Sequence, residues 1–435
     1  MVAKVLAAIL AGFAIAVPST FWLLKKVRIK SKIRHFQVSA ALGMPVALFI
    51  YLLQTSIAVP VVIVTVVFSL LVVALELTLR WIVSSSLSQV TIDGLGKIGS
   101  GVSFKEARNA AGAYPDDYMN EAVWLEMQEF MDSRSRQKQK FKSTSSADSP
   151  VKSFEMHANI TFAGTNYSMV DGIRSTTDAR NSRDQPNLFL FGGSTVLCEE
   201  VPDRLTNASI LQRMLNLHSE FVQVLNYGAS GATSIDRLQM LLQESKVKKD
   251  DIVVFYFGDN DSGWIDHRSG KPSEQLIWLP VRVFRALSDL GYETAKWMYG
   301  ELAPRSFRKF SRLAVAETIK ALSDAHLYCL SKGAQMVAIL QPNLYTLRTK
   351  SDYEKKLERR FSQDIRTLIS NSFKHYEEWV KTVPFGVSAT HIFNNAPSSV
   401  FLDWAHVNAR GNEMIAKFIY SELAKRKLVN VLNKV

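Results

Sequence analysis

The chain has 435 residues, of which 47% are hydrophobic, and a formal net charge of +12. The chain has only two cysteines, Cys198 and Cys329, which excludes a disulfide framework and a cysteine-rich zinc site. One disulfide bond between these two cysteines is compatible with the sequence. Residues 1–83 hold eight Lys or Arg against one acidic residue, so they supply +7 of the charge and the rest of the chain only +5. This concentration in one segment does not indicate a nucleic-acid-binding face, and we expect no nucleic-acid partner.

Residues 1–83 predict a transmembrane segment of about three helices. Residues 5–24 carry no charged side chain over 20 positions, which is the length that crosses a bilayer core, and six Lys or Arg follow between 25 and 34. The apolar stretch after residue 36 breaks near residues 54–60 and predicts two further spans, at about 37–55 and 59–82. A cleaved signal peptide and a buried core helix are the weaker interpretations, since most basic residues follow the first stretch.

The membrane side of the remaining chain stays open at this level. Six basic residues between the first two spans favour a cytoplasmic loop. Three spans then place the residues after 83 in the cytoplasm as well, whereas one re-entrant stretch places them on the opposite side. The lipid bilayer is an expected partner in both cases, and the oligomeric state is not indicated.

Residues 84–155 predict a linker and accessory region. Val123, Met127, Phe130 and Met131 recur at helical spacing, which predicts a helix at about 120–131. The following residues, 132–150, are rich in serine and carry Arg or Lys at alternate positions from 134 to 142. This composition is typical of a solvated linker or loop, and a contact with lipid headgroups is the alternative.

From residue 156 to 435 short apolar runs alternate with helical segments. Each run ends at Gly, Asn or Pro, as at 187–191, 221–225, 251–257 and 335–340. Helices are predicted near 205–217, 233–246, 311–332 and 409–424. Continuous apolar strands bounded by turn residues are typical of a parallel sheet buried on both faces, so the fold class is α/β with a doubly wound sheet. The ligand site of such a sheet lies beyond the carboxyl ends of its strands.

Four polar motifs occupy those positions. Two glycines bring Ser194 to a helix start, where the dipole favours an oxyanion, although Ser194 also suits an N-cap. A Gly/Ser loop with Gly231 follows the second strand, and Asn260 follows the third, where it can donate to an oxyanion or form a turn. Asp403 and His406 are three residues apart before the last helix, so that the carboxylate can orient the imidazole.

Together these motifs resemble the SGNH hydrolase family, also called GDSL esterases, whose four blocks are named for Ser, Gly, Asn and His. The blocks match here as GGST at 192–195, NYGASG at 226–231, GDND at 258–261 and DWAH at 403–406, within about 185–425. The resemblance implies a flavodoxin-like doubly wound parallel sheet, which the transmembrane helices predicted from residues 1–83 would precede. It also implies site roles: Ser194 as nucleophile, His406 as base, Asp403 as its orienting acid, and Ser194, Gly231 and Asn260 as the oxyanion hole.

Two positions depart from the family pattern, and two segments indicate a subset. Gly193 stands where Asp is usual, and Cys198 stands where Gly is usual, which leaves the nucleophile turn intact but alters the pocket. Residues 167–174 and 201–203 resemble a bacterial, membrane-anchored subset whose members accompany cell-surface polysaccharide genes. On that resemblance we expect a multi-pass protein of a bacterial inner membrane.

The sequence therefore predicts a serine-dependent carboxylic ester hydrolase or acyl transferase that acts on O-acetyl groups of a polysaccharide or glycoconjugate. A lysophospholipase or thioesterase acting on lipid acyl esters is one alternative, and a catalytically silent membrane scaffold is another. No metal and no organic cofactor is needed, and no cluster has zinc-ligand spacing. The insertion at 262–312 combines aromatic and basic residues, which suit acidic sugars, a packed helical cap or a bilayer contact.

Overall fold

The computed structural model describes residues 119–144, 160–179, 185–218, 222–244, 246–262, 265–266, 271–272, 293–359 and 363–429. The predicted transmembrane segment at 1–83 and most of the predicted insertion, including Trp264, Trp278 and Phe284, lie outside these residues. No helix within the described ranges is long and apolar enough to span a bilayer.

The described chain contains eight α-helices and ten β-strands. The helices are α1 Glu121–Thr144, α2 Ser194–Leu197, α3 Asn207–Leu217, α4 Ser234–Glu244, α5 Glu293–Ser331, α6 Asp352–Arg359, α7 Gln363–Val380 and α8 Ala409–Lys425. The strands are β1 Phe162–Ala163, β2 Ser168–Val170, β3 Ile173–Arg174, β4 Asn187–Gly192, β5 Gln223–Gly228, β6 Ile252–Phe257, β7 Ile265–Asp266, β8 Lys271–Pro272, β9 Gln335–Leu340 and β10 Gly386–Ser388.

Five parallel strands form the centre of the main sheet in the order β5-β4-β6-β9-β10. This is the 2-1-3-4-5 order of flavodoxin-like sheets. All six residues of β6 are buried, as are five of the six in β4 and in β9. Burial on both faces explains the continuous apolar runs, and the prediction of a central parallel sheet is confirmed.

The sheet as a whole is mixed, which corrects the prediction of a wholly parallel sheet. Strands β1, β2 and β3 extend it in antiparallel pairing beyond β5, and β3 joins β5 through Arg174 and Asn226. Each of these strands has only two or three residues. Such short strands leave no periodic pattern in the sequence, and β10, which also has three residues, was missed for the same reason.

Helix α1 runs through residues that the composition assigned to a linker or loop. Its buried face includes Met127, Phe130 and Arg134, and the Phe130 ring lies 5.3 Å from that of Phe162. Arg134 is buried because it pairs with Glu199. From sequence alone, a basic residue is expected to be exposed to solvent. The buried face of α1 therefore could not be extended to Arg134 without knowledge of its distant partner, Glu199.

The other predicted helices correspond to α3, α4, α5 and α8. Helix α5 begins earlier than predicted, at Glu293, so the last part of the predicted insertion at 262–312 is helical. Helices α6 and α7 were not predicted. Both cysteines are buried and free, which closes the question of a bridge between them.

Candidate active site

Ser194 is the first residue of α2, directly beyond the carboxyl end of β4. Gly193 occupies the N-cap position (φ −82°, ψ −152°), so the alternative role of Ser194 as the N-cap is wrong. Ser194 is half-buried, whereas the residues that flank it, from Phe191 to Gly193 and from Thr195 onward, are buried. Ser194 is therefore the residue of this turn that is open to solvent.

Close packing around α2 leaves little room at two positions that glycine occupies. A Cβ atom at Gly193 would overlap Asn260 Nδ2 and lie 3.2 Å from the Ala232 carbonyl oxygen. A Cβ atom at Gly228, at the end of β5, would overlap the backbone of Leu197. The departure from the family pattern at Gly193 thus allows the Asn260 amide to approach the turn that carries Ser194.

The loops after β5 and β6 bring Gly231 and Asn260 to the same edge of the sheet. Asn260 Nδ2 donates to the Ala232 carbonyl at 2.8 Å, and the Ala229 N–H donates to the Gly192 carbonyl at 3.2 Å. Gly231 has a φ of +76°, a conformation that glycine adopts without steric cost. Gly231 is half-exposed, and no atom of the described residues lies within 4 Å of a Cβ atom built there.

Three N–H groups around Ser194 have no acceptor among the residues that the structure describes. They are the backbone N–H groups of Ser194 and Gly231 and the second Nδ2 proton of Asn260, because an amide carries two donors and Ala232 uses one. All three residues are partly exposed. Unused donors on three adjoining loops suit the stabilisation of an oxyanion.

Replacing Asn260 with alanine is expected to lower kcat for ester hydrolysis by about 10²–10³-fold, with a smaller change in KM, because one oxyanion donor is lost. Asn260→Asp keeps the shape, removes the donor and adds a negative charge, so its kcat should fall at least as far. Steady-state kinetics with p-nitrophenyl acetate measures both variants. An unchanged kcat in Asn260→Ala would remove Asn260 from the proposed oxyanion hole.

Asp403 and His406 form a tight pair in the loop before α8. His406 Nδ1 lies 2.6 Å from Asp403 Oδ2, and Asp403 Oδ1 accepts the N–H groups of Ala405 and His406, both at 2.7 Å. The Leu402 N–H donates to the His406 carbonyl at 2.8 Å and closes the loop. The Asp403 side chain is 3% exposed and that of His406 13%. With Nδ1–H bonded to the carboxylate, Nε2 is the ring nitrogen that accepts a proton.

The charges around His406 favour its protonated form. Burial alone lowers the pKa of the imidazole, but the charge and hydrogen bond of Asp403, followed by the charges of Glu200 and Asp259, outweigh it and raise the pKa to about 9. A base with this pKa is mostly protonated at neutral pH. Activity that needs neutral His406 should therefore increase with pH up to the alkaline range.

A buried polar network, which the sequence did not predict, connects the strand ends. Thr195 Oγ1 donates to Gln341 Oε1 at 3.0 Å, and the side-chain amides of Gln341 and Asn343 both donate to the Asp259 carboxylate. Burial raises the pKa of Asp259 well above its usual range, although these two hydrogen bonds oppose the shift. Gln341 and Asn343 follow the end of β9, so the strand-end rule that selected Ser194 could have found them.

This network also reaches the loop that carries His406. The Leu344 N–H donates to the Trp404 carbonyl at 2.8 Å, and the charge of Asp259 acts on His406. The Ser194 hydroxyl and the His406 ring make no hydrogen bond with each other. Their meeting stays a prediction, since catalytic hydrogen bonds often tighten only when substrate is bound.

Arg174 on β3 holds the segment that follows α2. Its Nε atom donates to Asp203 Oδ1 at 2.8 Å, and its terminal nitrogens donate to the carbonyls of Leu197 (2.5 Å), Cys198 and Val201 (2.7 Å). Cys198 adopts the left-handed conformation (φ 55°, ψ 51°), which explains why glycine is usual at this position. Arg174 and Asp203 lie in the two segments, 167–174 and 201–203, that resemble the bacterial subset.

Replacing Arg174 with methionine is expected to lower the free energy of unfolding by about 3–5 kcal/mol, because the buried Asp203 loses its partner. Three carbonyl groups lose a donor as well. The control is Arg213→Met. It breaks the half-exposed ion pair between Arg213 and Asp178, whose charged atoms lie 3.7 Å apart, and should lower the free energy of unfolding by about 0–1 kcal/mol. Urea unfolding followed by tryptophan fluorescence measures both. Equal losses in the two variants would contradict the clamping role of Arg174.

Comparisons with known proteins give one matching family and several solved structures to which the chain is similar. The family described as GDSL-like lipase/acylhydrolase matches residues 175–419, more than half of the chain. A member of the lipolytic protein G-D-S-L family from Veillonella parvula DSM 2008 is 13% identical, with 55% of this chain and 98% of that chain covered and a TM-score of 0.34. A carbohydrate acetylesterase family member from Sinorhizobium meliloti is 12% identical, with 55% and 98% covered and a TM-score of 0.33. The lipase/acylhydrolase from Enterococcus faecalis is 17% identical, with 56% and 97% covered and a TM-score of 0.27. No curated protein matches the chain.

Proposed function

The chain belongs to the GDSL-like lipase/acylhydrolase family and is a GDSL-type esterase or acylhydrolase, and from this premise we propose that Ser194 is its nucleophile and that its substrates are O-acetylated polysaccharides or glycoconjugates. The observation that carries the proposed mechanism is the Asp403–His406 pair, held at 2.6 Å on a loop that is connected to the Ser194 turn through buried hydrogen bonds.

In the proposed reaction Ser194 Oγ attacks the ester carbonyl carbon while His406 Nε2 takes the hydroxyl proton. Asp403 stays ionised and stabilises the imidazolium that forms. The N–H groups of Ser194 and Gly231 and the Asn260 amide receive the oxyanion. The tetrahedral intermediate then expels the alcohol, which takes the proton from His406, and the acyl group remains on Ser194.

Deacylation repeats these steps with a second acceptor. Water gives hydrolysis and releases the acid, whereas a sugar hydroxyl gives transfer of the acyl group. His406 again removes the acceptor proton and returns it to Ser194 Oγ as the acyl bond breaks.

Two features support the choice of a cell-surface polysaccharide at a membrane. The segments that resemble the polysaccharide-associated subset, 167–174 and 201–203, contact each other through the Arg174–Asp203 pair at 2.8 Å. The apolar residues of 1–83 would attach the enzyme to a bacterial inner membrane.

The test uses the purified full-length chain with p-nitrophenyl esters of increasing acyl length and with a chemically O-acetylated polysaccharide. We expect acetate release from both acetyl substrates and none from Ser194→Ala. A preference for long acyl chains would support the lysophospholipase or thioesterase alternative instead. Absence of turnover together with absence of fluorophosphonate labelling at Ser194 would support the scaffold.

A further inference from the structure

Glu200 is a buried acid to which the proposed mechanism assigns no role. It lies between α2 and the 3₁₀ turn Asp203–Leu205 and is 0% exposed. Neither of its carboxylate oxygens accepts a hydrogen bond from another residue within the described ranges. The adjacent Glu199 is also buried, but it pairs with Arg134. Burying a carboxylate without a partner is costly, so its position requires an explanation.

The segment that carries Glu200 packs against the segment that carries His406. Leu197, Cys198 and Val201 share one apolar cluster with Leu402 and Ala409, which flank the Asp403–His406 loop. The Cys198 thiol also lies 3.5 Å from Asn412 Oδ1 on α8. The residues on either side of Glu200 are therefore packed against the segments that flank the loop of His406.

Three titratable groups act on Glu200 from the surrounding elements. Burial raises the pKa of Glu200 to about 7, the positive charges of His406 and Arg174 oppose this shift together with the backbone N–H of Glu200, and the charge of Asp403 adds to it. The charge of Glu200 in turn raises the pKa of the Cys198 thiol. The Arg174 guanidinium donates hydrogen bonds to Asp203 and to backbone carbonyls rather than to Glu200. His406 is the other cation whose charge acts on Glu200.

We propose that Glu200 is a positioning residue, a second buried carboxylate that acts through His406 and stabilises its imidazolium form together with Asp403. The proposal rests on the proposed function, in which His406 is the general base. Asp403 orients the ring through a hydrogen bond, and Glu200 contributes charge from the side of the nucleophile turn. The third carboxylate that acts on His406, Asp259, is occupied by the amides of Gln341 and Asn343.

The sign of the expected effect follows from this arrangement. His406 accepts a proton from Ser194 only when it is neutral, so kcat/KM increases as pH rises through the pKa of His406, which is about 9. Removing the charge of Glu200 makes the imidazolium less stable and shifts this midpoint to lower pH. A residue that only fills space would change stability and leave the midpoint where it is.

The experiment measures the His406 midpoint in two ways in the full-length protein. NMR of ¹⁵N-labelled histidine follows the ring directly, with His406→Ala for assignment, and kcat/KM for p-nitrophenyl acetate gives the kinetic midpoint. In Glu200→Gln we expect both midpoints to move down by about one pH unit. Glu200→Asp keeps the charge, so both midpoints should stay close to those of the parent protein. The matched control, Glu199→Gln, removes the neighbouring buried carboxylate and should reduce stability without moving either midpoint.

An unchanged NMR midpoint in folded Glu200→Gln would overturn the proposal, whether or not the enzyme is active. If the glutamine variant does not fold, Glu200→Met provides an uncharged side chain of similar length for the same measurement. Failure of the proposed function has a different signature, because an inactive parent protein shows no kinetic midpoint at all. An NMR shift in such a protein would refute a positioning role in catalysis and leave only an electrostatic coupling between Glu200 and His406.

Discussion

Replacing Ser194 with alanine is expected to lower kcat for ester hydrolysis on the order of 10⁶-fold, since no acyl-enzyme can form. The residual rate should still exceed that of the uncatalysed reaction, because the N–H groups of Gly231 and Asn260 still polarise a bound carbonyl. Turnover of p-nitrophenyl acetate gives kcat, and a fluorophosphonate probe followed by peptide mapping reports whether Ser194 is the labelled residue.

The control for Ser194 is Ser323→Ala on α5. The Ser323 hydroxyl donates to the Ile319 carbonyl of its own helix at 2.8 Å, so its loss should leave kcat and labelling unchanged. Retention of full activity by Ser194→Ala would end the case for nucleophilic catalysis at this turn. Labelling at a different serine would identify another nucleophile.

Replacing Asp403 with asparagine is expected to lower kcat by about 10⁴-fold, less than the loss of Ser194. The asparagine keeps the shape of Asp403 but lacks the charge that stabilises the imidazolium. It also presents an amide to His406 Nδ1, which favours the wrong tautomer. Single-turnover measurement of acylation, with the release of p-nitrophenol as the signal, separates this effect from a change in substrate binding.

The matched control is Asp251→Asn, the same substitution at a buried aspartate beyond the opposite end of the sheet. Asp251 accepts the N–H groups of Asn187 at 2.7 Å and Lys248 at 2.8 Å, next to the start of β6. Its loss should reduce stability and leave the kcat of the folded enzyme intact. Comparable losses of kcat in the two variants would mean that Asp403 supports the fold rather than the chemistry.

The sequence predicted those parts of the site whose signal is local. Ser194, Gly231 and Asn260 each follow the end of an apolar run, and parallel strands bring their carboxyl ends to one edge. Asp403 and His406 are close along the chain, so their pairing needs only one loop. Gln341 and Asn343 carry the same local signal and were overlooked because neither belongs to a family motif.

Other residues that sequence reasoning missed depend on partners far along the chain. Arg174 bonds to Asp203 across 29 positions, and Thr195 bonds to Gln341 across 146. A charged or polar residue is expected at the surface unless its partner is known. Helix α1 illustrates the same point, because its basic residues indicated a solvated linker until the burial of Arg134 against Glu199 was seen.

By itself the sequence determined the central parallel strands, the helices between them and the motifs at the strand ends, because hydrophobic periodicity and turn chemistry are written in neighbouring residues. Only the tertiary structure decided that short antiparallel strands extend the sheet, that Arg174 binds the segment that follows α2, and that Glu200 is buried on a segment packed against the loop of His406. The physical reason is that the free energy of a buried charge is set by the groups around it, and folding draws those groups from distant parts of the chain.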